Sequence, residues 1–222
     1  MIIILQGGRP FAIPEYYSQA AAVLSTYFPG QTGGQAISDV LFGVFNPGGK
    51  VPLSVPYDVG GLPVFYGGKR TARANHYVDS PGNYPLYSFG YGLSYTSFSA
   101  HGFKALSSSG EHSSFSDGDT ITFIVSVKND GPVAGSFVAQ VYLLNRVSAI
   151  TKPEKQLVAF QRVYIDSGED LVVAMELEVD RYLPIVNRKW NWELERGDYT
   201  FALLGHSGHD ADLGVNATLT CI

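Results

Sequence analysis

Four acidic residues stand where a carboxylate could take part in catalysis, but no motif pairs any two of them. Asp58 and Asp79 lie in predicted loops beside tyrosines, Glu15 opens a predicted helix, and Asp39 lies on the polar side of another. A negative charge in the first turn of a helix is favoured by the helix dipole, which explains Glu15 structurally. Hydrolysis by two carboxyl groups needs a fixed separation between them. We therefore predict no catalytic residue in this chain.

The segment His206-Ser207-Gly208-His209-Asp210 contains the residue types of a hydrolytic triad. The members of such a triad lie on separate elements that converge, whereas adjacent side chains point apart. The same residues could offer metal ligands, but their spacing matches no helical or cysteine-based metal motif. We interpret the segment as a polar turn between two strands, and we predict neither a metal site nor a cofactor.

An aromatic-rich stretch, residues 66–95, is the best candidate for ligand binding. Aromatic rings can stack on the apolar faces of sugars, and nearby arginine, asparagine and histidine side chains could form hydrogen bonds with hydroxyl groups. A carbohydrate or another small molecule is the predicted ligand, with weak candidate contacts at Tyr66, Arg70, Arg73, His76, Tyr77 and Asp79. The alternative is that these aromatic residues pack the two halves of the chain together.

Composition and charge narrow the class of protein. The 222 residues are 45% hydrophobic, 13% aromatic and 16% charged, which indicates a packed globular chain and not a disordered one. The net charge of −5, without a basic stripe, argues against a nucleic acid partner. The single cysteine, Cys221, excludes an internal disulfide and is interpreted as a small apolar residue at the end of a strand.

Two features bear on localisation, and they point in opposite directions. The apolar run Ile2–Leu5 is too short for a signal peptide or a membrane span, so we expect no membrane partner. Asn216-Ala217-Thr218 is a glycosylation sequon of the kind used in secreted proteins, with Asn216 as the predicted acceptor. The localisation therefore stays open. A chain truncated from a longer, secreted protein would reconcile the two observations.

The patterns in residues 1–64 predict a small α/β unit. Ile2–Leu5 is a β-branched run without a polar face, which is typical of a strand buried on both faces of a parallel sheet. Pro14 can begin a short helix, and residues 21–27 fit either an extension of that helix or a second strand. A further helix is predicted over residues 35–42. The unit is too short to close a sheet by itself.

The rest of the chain divides into a connection and an all-β part. Residues 65–97 are rich in Gly, Pro and Tyr, and aromatic side chains at this density indicate an ordered connection. In residues 98–222 the pattern has a period of two, as where Ile121, Phe123 and Val125 alternate with their neighbours. Six or seven such strands without a helical period predict a β-sandwich. The predicted fold class is α+β: a small α/β sandwich remnant followed by an all-β, immunoglobulin-like sandwich.

Three segments, in collinear order, resemble the family 3 glycoside hydrolases, a group of β-glucosidases and β-xylosidases. Residues 34–53 read GQAISDVLFGVFNPGGKVPL, residues 87–98 read YSFGYGLSYTSF, and residues 153–163 read PEKQLVAFQRV. The first two are similar to long signature stretches of the family, and the third is similar to its C-terminal fibronectin type III-like module. The resemblance runs over essentially the whole chain. Residues 187–220 look most like fungal members.

The resemblance implies a function for the chain. The family fold is a TIM-like barrel, an α/β sandwich domain and a fibronectin type III-like module, and by analogy this chain begins partway through the α/β domain. The family's nucleophilic Asp lies on the barrel and its acid/base Glu lies upstream of the Ile2–Leu5 strand. Neither motif has a counterpart here. The implied function is therefore that of a truncated, non-catalytic C-terminal region of an enzyme that hydrolyses terminal β-D-glycosides, from a family that is usually secreted.

A second hypothesis is a stand-alone protein in which the same elements bind or convert a small molecule. A concave pocket with converging polar groups would favour it, whereas an exposed apolar face would favour the truncated region. For the truncated region, the expected partner is the missing N-terminal barrel of the parent enzyme. The uncovered Ile2–Leu5 strand is also expected to pair with a second copy, giving a homodimer through the N-terminal part.

Overall fold

The computed structural model of the chain describes residues 1–69, 84–110, 113–144, 148–208 and 212–222. Strands predominate among these residues, and they fall into an N-terminal α/β part and a β-sandwich that begins at Phe98. This succession agrees with the α+β class predicted from the sequence. No helix within the described ranges is long and apolar enough to cross a membrane.

The N-terminal part contains β1 (Ile2–Gln6), α1 (Pro14–Gln19), β2 (Ala22–Tyr27), α2 (Gly33–Leu41), β3 (Val55–Pro56) and β4 (Pro85–Tyr87). β1 and β2 pair in parallel, with α1 on the crossover between them, and β3 and β4 form a short antiparallel pair. Pro14 lies in the first turn of α1, where its missing N–H costs no hydrogen bond. Residues 22–27, for which the sequence left helix and strand open, form a strand because their backbone pairs with that of β1.

The N-terminal part buries little apolar surface. Ile2 and Ile4 of β1 are 54% and 40% exposed, and Phe28 and Phe42 are 82% and 83% exposed. The expectation of a first strand buried on both faces is therefore wrong for this chain. The physical reason is that a two-stranded sheet cannot cover its own faces. Among the described residues of this part, the buried aliphatic side chains are those of Val55 and Pro56 in β3.

The second part contains β5 (Phe98–Ser107), β6 (Ser114–Phe115), β7 (Thr120–Asn129), β8 (Gly135–Leu144), β9 (Lys155–Ile165), β10 (Asp170–Glu178), α3 (Val179–Tyr182), β11 (Ile185–Val186), β12 (Trp192–Glu193), β13 (Gly197–Leu204) and β14 (Asp212–Cys221). One sheet has the strand order β10-β7-β5 and the other has the order β6-β14-β13-β8-β9. All neighbours are antiparallel except β6 and β14. The short hairpin of β11 and β12 lies between β10 and β13 along the chain.

The core of the sandwich confirms the alternation predicted from the sequence. Ile121, Phe123 and Val125 of β7 are fully buried between the two sheets. The ring of Phe123 packs against Phe103 and Phe201, with ring centroids 6.0 and 5.0 Å apart. Burial of one such side chain contributes about 1.5–3 kcal/mol. The buried side chains of this cluster all come from the sandwich strands and α3 with its following residue, so the sandwich has a core of its own.

Two sequence predictions concern β14. Cys221 is buried at the end of the strand, which confirms its interpretation as a small apolar residue. Asn216 is exposed and lies opposite Ala202 of β13. An exposed position leaves the amide accessible for modification, and glycosylation of Asn216 stays a prediction.

Candidate functional site at the domain junction

The two stretches that resemble family motifs, residues 34–53 and 87–98, lie beside each other and against the sandwich. Their backbones are joined directly: Val51 N donates to Tyr91 O and Gly90 N donates to Val51 O, each at 2.8 Å. We call the region where these stretches contact β8 and the turn before it the junction. Two segments far apart in the sequence are held there as one unit.

Asn46 connects three parts of the chain at the junction. Its Nδ2 donates to the carbonyl of Ala134 (2.9 Å), in the turn between β7 and β8. Its Oδ1 accepts hydrogen bonds from Ser94 Oγ (2.9 Å) and from Tyr95 N (2.8 Å). Both ends of one amide are therefore used to hold the second motif stretch and the N-terminal part against the sandwich.

Lys50 connects the two motif stretches a second time. Its Nζ donates to the carbonyl of Gly92 at 2.5 Å, and burial lowers its pKa below the usual value. The backbones approach so closely here that a Cβ on Gly92 would lie 2.5 Å from Gly49 O. Because burial is the cause of the pKa shift and the nitrogen bonds a carbonyl, we assign Lys50 a positioning role.

On the sandwich side of the junction, contacts are made by Gln140 and Tyr142 of β8. Gln140 is 3% exposed, and its Nε2 donates to Gly90 O (3.2 Å) and to Gly205 O (2.9 Å). Tyr142 is fully buried, and its hydroxyl donates to Gln140 Oε1 at 2.9 Å. Gly90 has φ +86, in the left-handed region that favours glycine, which brings its carbonyl within reach of the amide. Buried polar groups at this contact are thus paired with one another.

Stability should fall at alkaline pH because of Tyr142. Burial, reinforced by the neighbouring Tyr66, raises the pKa of Tyr142 well above the ordinary tyrosine value of about 10. The unfolded chain then loses this proton at lower pH than the folded chain, so the stabilisation present below about pH 10 is lost as the pH rises above it. Tyr142→Phe should make the alkaline decline shallower, while costing about 1 kcal/mol at neutral pH through the lost hydrogen bond. Urea unfolding across this pH range measures both effects.

The matched control for this measurement is Tyr164→Phe, since Tyr164 is 63% exposed on β9. It should leave the alkaline decline unchanged. Equal behaviour of the two variants would contradict a role of buried Tyr142 in the decline.

Aromatic rings fill the space around these hydrogen bonds. Tyr66 stacks on Phe89 with centroids 4.5 Å apart and meets Tyr142 edge-on at 6.2 Å. Its hydroxyl accepts a hydrogen bond from Leu157 N of β9 at 2.6 Å. The ring and the hydroxyl are both engaged with the protein, as expected of a residue that packs the two parts together.

The residues predicted as sugar contacts divide into two groups. Tyr66 lies in the junction, where the structure shows a packing role, and its contact with a sugar stays a prediction. The remaining candidates lie outside the described residues: Arg70, Arg73, His76, Tyr77 and Asp79. Their role as sugar contacts therefore stays a prediction.

The carboxylates singled out from the sequence have local structural roles where they are described. Asp58 Oδ1 accepts a hydrogen bond from Gly61 N at 2.7 Å, in a turn. Asp39 Oδ1 accepts one from Gln35 Nε2 at 2.6 Å, one turn earlier on α2. Glu15 is exposed in the first turn of α1. Each carboxylate thus supports the local element to which it belongs.

The predicted polar turn at His206 is confirmed for the part that the structure describes. His206 Nδ1 accepts a hydrogen bond from Gly208 N at 3.0 Å, and its ring meets Tyr91 edge-on at 5.3 Å. The segment follows β13, and His209 and Asp210 lie outside the described residues. Within the described ranges, no three His, Cys, Asp or Glu side chains come together in a way that could hold a metal ion.

Comparison with protein families identifies both parts. Residues 1–95 match the glycosyl hydrolase family 3 C-terminal domain, and residues 137–207 match a fibronectin type III-like domain. A periplasmic β-glucosidase of Salmonella typhimurium is 36% identical over 209 residues, covering 90% of this chain and 26% of the relative. The probable β-glucosidase I of Aspergillus niger is 31% identical over 232 residues, covering 98% of this chain and 28% of the relative.

The fold is shared with solved structures. A β-glucosidase from Erythrobacter marinus superposes with a TM-score of 0.87 at 32% identity, covering 100% of this chain and 28% of that chain. This chain thus spans 26% to 28% of the length of the proteins it matches. These relatives include bacterial and fungal proteins, so the fungal character of residues 187–220 stays a prediction. The chain is therefore homologous to the C-terminal region of family 3 β-glucosidases, with a glycosyl hydrolase family 3 C-terminal domain followed by a fibronectin type III-like domain.

Proposed function

We propose that this chain is the non-catalytic C-terminal region of a β-glucosidase-like hydrolase and supports the domains that carry catalysis. The parent reaction would be the hydrolysis of terminal β-D-glycosides. The observation that supports this most is the coverage: similarity extends over 90% of this chain but over 26% of the Salmonella β-glucosidase. The similarity does not extend to the remaining three quarters of that enzyme.

The chemistry of the described carboxylates supports the same proposal. Retaining glycoside hydrolysis uses two carboxyl groups about 5–5.5 Å apart, one as the nucleophile and one as the acid/base. Asp39 forms a hydrogen bond along α2, and Asp58 forms one within a turn. Glu15 lies in the first turn of α1. At the junction, Asn46 and Gln140 supply amides that hold backbone carbonyls, which is a structural task.

The exposed apolar surface of the N-terminal part indicates where the rest of such an enzyme would dock. Ile2 and Ile4 on β1, with Phe28 and Phe42 after β2 and α2, leave apolar side chains uncovered on a part without a closed core. Further elements of an α/β domain, and the barrel attached to them, would cover these side chains. Where they are absent, we propose that a second copy covers it through β1, giving a homodimer.

A fusion enzyme tests the proposal. Residues 1–222 replacing the C-terminal quarter of the Salmonella β-glucosidase should give an enzyme that hydrolyses nitrophenyl β-glucoside, and the free chain should give no rate above buffer. Replacing Ile2 and Ile4 with lysine should lower the activity of the fusion at least about tenfold, because each buried charge costs several kcal/mol. In the free chain the same change should convert a dimer to a monomer in light scattering.

The matched control places a lysine on an exposed apolar residue of the sandwich. Val172 of β10 is 65% exposed, and Val172→Lys should leave the fusion active and the free chain dimeric. Turnover by the free chain that is lost on replacing one of its own Asp or Glu residues would overturn the proposal. An active fusion with a monomeric free chain would overturn the dimer alone.

A further inference from the structure

The side chain of Asn187 supports the loop of the β11–β12 hairpin with three hydrogen bonds. Asn187 Oδ1 accepts hydrogen bonds from Lys189 N (2.9 Å) and Asn191 N (3.1 Å), and its Nδ2 donates to Glu193 Oε2 (2.8 Å). Its backbone N–H also donates to Asn191 O at 2.9 Å. A loop with this many internal hydrogen bonds holds the side chains at its tip in a defined arrangement.

This ordered loop presents two large aromatic rings to solvent. Trp190 is 88% exposed and Trp192 is 76% exposed, and they are the two tryptophans of the chain. Each indole could remove roughly 150–250 Å² from water if it were buried. Two residues apart, their Cα atoms lie within about 7 Å of each other. The hairpin therefore offers a small aromatic surface that the described residues leave uncovered.

The backbone at Trp190 is strained, and burial of the side chain does not offset this strain. Its φ of 65 lies in the left-handed region, which is unusual for a bulky side chain and favours glycine or asparagine. Strained residues of this kind cluster at ligand-binding sites. Since the ring of Trp190 packs on so little of the protein, stability does not explain why a tryptophan occupies this position.

A groove of about 540 Å³ adjoins the hairpin and is lined by Trp192. Three carboxylates, from Asp117, Asp180 and Glu193, and one guanidinium, from Arg196, also line it. Asp180 Oδ1 accepts a hydrogen bond from Gly118 N, and Glu193 Oε2 accepts one from Asn187. Within the described part of the chain, the second oxygen of each carboxylate is left for a ligand. The groove thus combines an aromatic wall with hydrogen-bond acceptors and a donor.

We propose that this hairpin and groove form a binding site for a neutral carbohydrate chain. Pyranose rings carry an apolar face that stacks on indole and a rim of hydroxyl groups that both donate and accept hydrogen bonds. The carboxylates and Arg196 match that rim, whereas three carboxylates and a chain charge of −5 would repel an anionic membrane surface. This site is separate from the junction and does not depend on the proposed role in a parent enzyme.

Tryptophan fluorescence of the full chain tests the proposal directly, because both tryptophans are on this hairpin. Titration with cellohexaose, a neutral chain of β-linked glucose units, should give a saturable change in the emission. Trp190→Gly and Trp192→Ala should each weaken binding at least about tenfold in calorimetry. Glycine suits the φ of Trp190, so this variant should keep the full stability of the chain while losing affinity.

The control is Phe160→Ala, which removes another exposed ring (69%) from β9 and should leave the affinity unchanged. Circular dichroism and the melting temperature establish that each variant is folded. No response of the folded chain to millimolar cellohexaose, or unchanged affinity in both tryptophan variants, would overturn the proposal. Binding to vesicles of phosphatidylcholine and phosphatidylserine without a response to cellohexaose would overturn it in favour of a lipid surface.

Discussion

Replacing Phe123 with alanine should lower the free energy of unfolding of the sandwich by about 3–5 kcal/mol. Phe123 is fully buried on the central strand β7, and its ring contacts Phe103 and Phe201. Removal of the ring loses the free energy gained by transferring it from water to the core. It also leaves a cavity between two sheets whose backbones are fixed by hydrogen bonds. Urea unfolding followed by circular dichroism measures the loss.

The matched control is Phe160→Ala, which removes the same ring from an exposed position on β9. It should change the stability by less than about 0.5 kcal/mol. Similar losses for the two variants would mean that the core is not centred on β7. A cooperative transition with an unchanged midpoint for Phe123→Ala would contradict the packing described here.

Replacing Gln140 with leucine should destabilise the junction by at least about 3 kcal/mol. The change keeps the size of the side chain but removes two donated hydrogen bonds and one accepted bond. The carbonyls of Gly90 and Gly205 and the hydroxyl of Tyr142 would lose their partner, and each buried group left unpaired costs about 1–3 kcal/mol. Thermal unfolding reports the loss, and limited proteolysis should show faster cleavage in residues 87–96.

Gln161→Leu is the control, since Gln161 is exposed on the neighbouring strand β9. It should alter neither the melting temperature nor the cleavage pattern. If Gln140→Leu melts normally and residues 87–96 stay resistant, the amide of Gln140 does not hold the junction together.

The sandwich was predictable from the sequence because strands such as β7 and β10 alternate between buried and less buried side chains. In β7, Ile121, Phe123 and Val125 face a core, and their alternation with less apolar neighbours is a local property of the sequence. The first strand shows the limit of this reasoning. Ile2 and Ile4 are apolar, β-branched residues of the kind usually buried in a sheet, yet they are exposed here. Burial of a strand depends on which other elements cover it.

The candidate site was predictable only in part. The motif stretches can be recognised in the sequence, since long runs are distinctive, but the residues that bond them to the sandwich cannot. Asn46 donates a hydrogen bond to a carbonyl 88 positions away in the sequence, and Gln140 donates one to a carbonyl 65 positions away. A local sequence pattern does not indicate partners at such distances. From the sequence, the ring of Tyr66 could bind a ligand or pack the two parts together, and only its ring contacts show the packing role. Trp190 has no signal in the sequence that would mark its exposure.

The acceptors at the junction have a consequence for how such chains can diverge. Asn46 and Gln140 bond the main-chain carbonyls of Ala134, Gly90 and Gly205, not their side chains. Substitution of Ala134 can leave its carbonyl in place, whereas substitution of either amide removes a bond. Gly90 is different, because its φ of +86 favours glycine and a Cβ there would clash with Gln140 Oε1. Mutations would therefore accumulate more freely at Ala134 than at Asn46, Gln140 or Gly90. A recombined protein could join a distant fibronectin-like module to this α/β part, provided that the module presents a carbonyl in the turn before β8 and an amide at the place of Gln140.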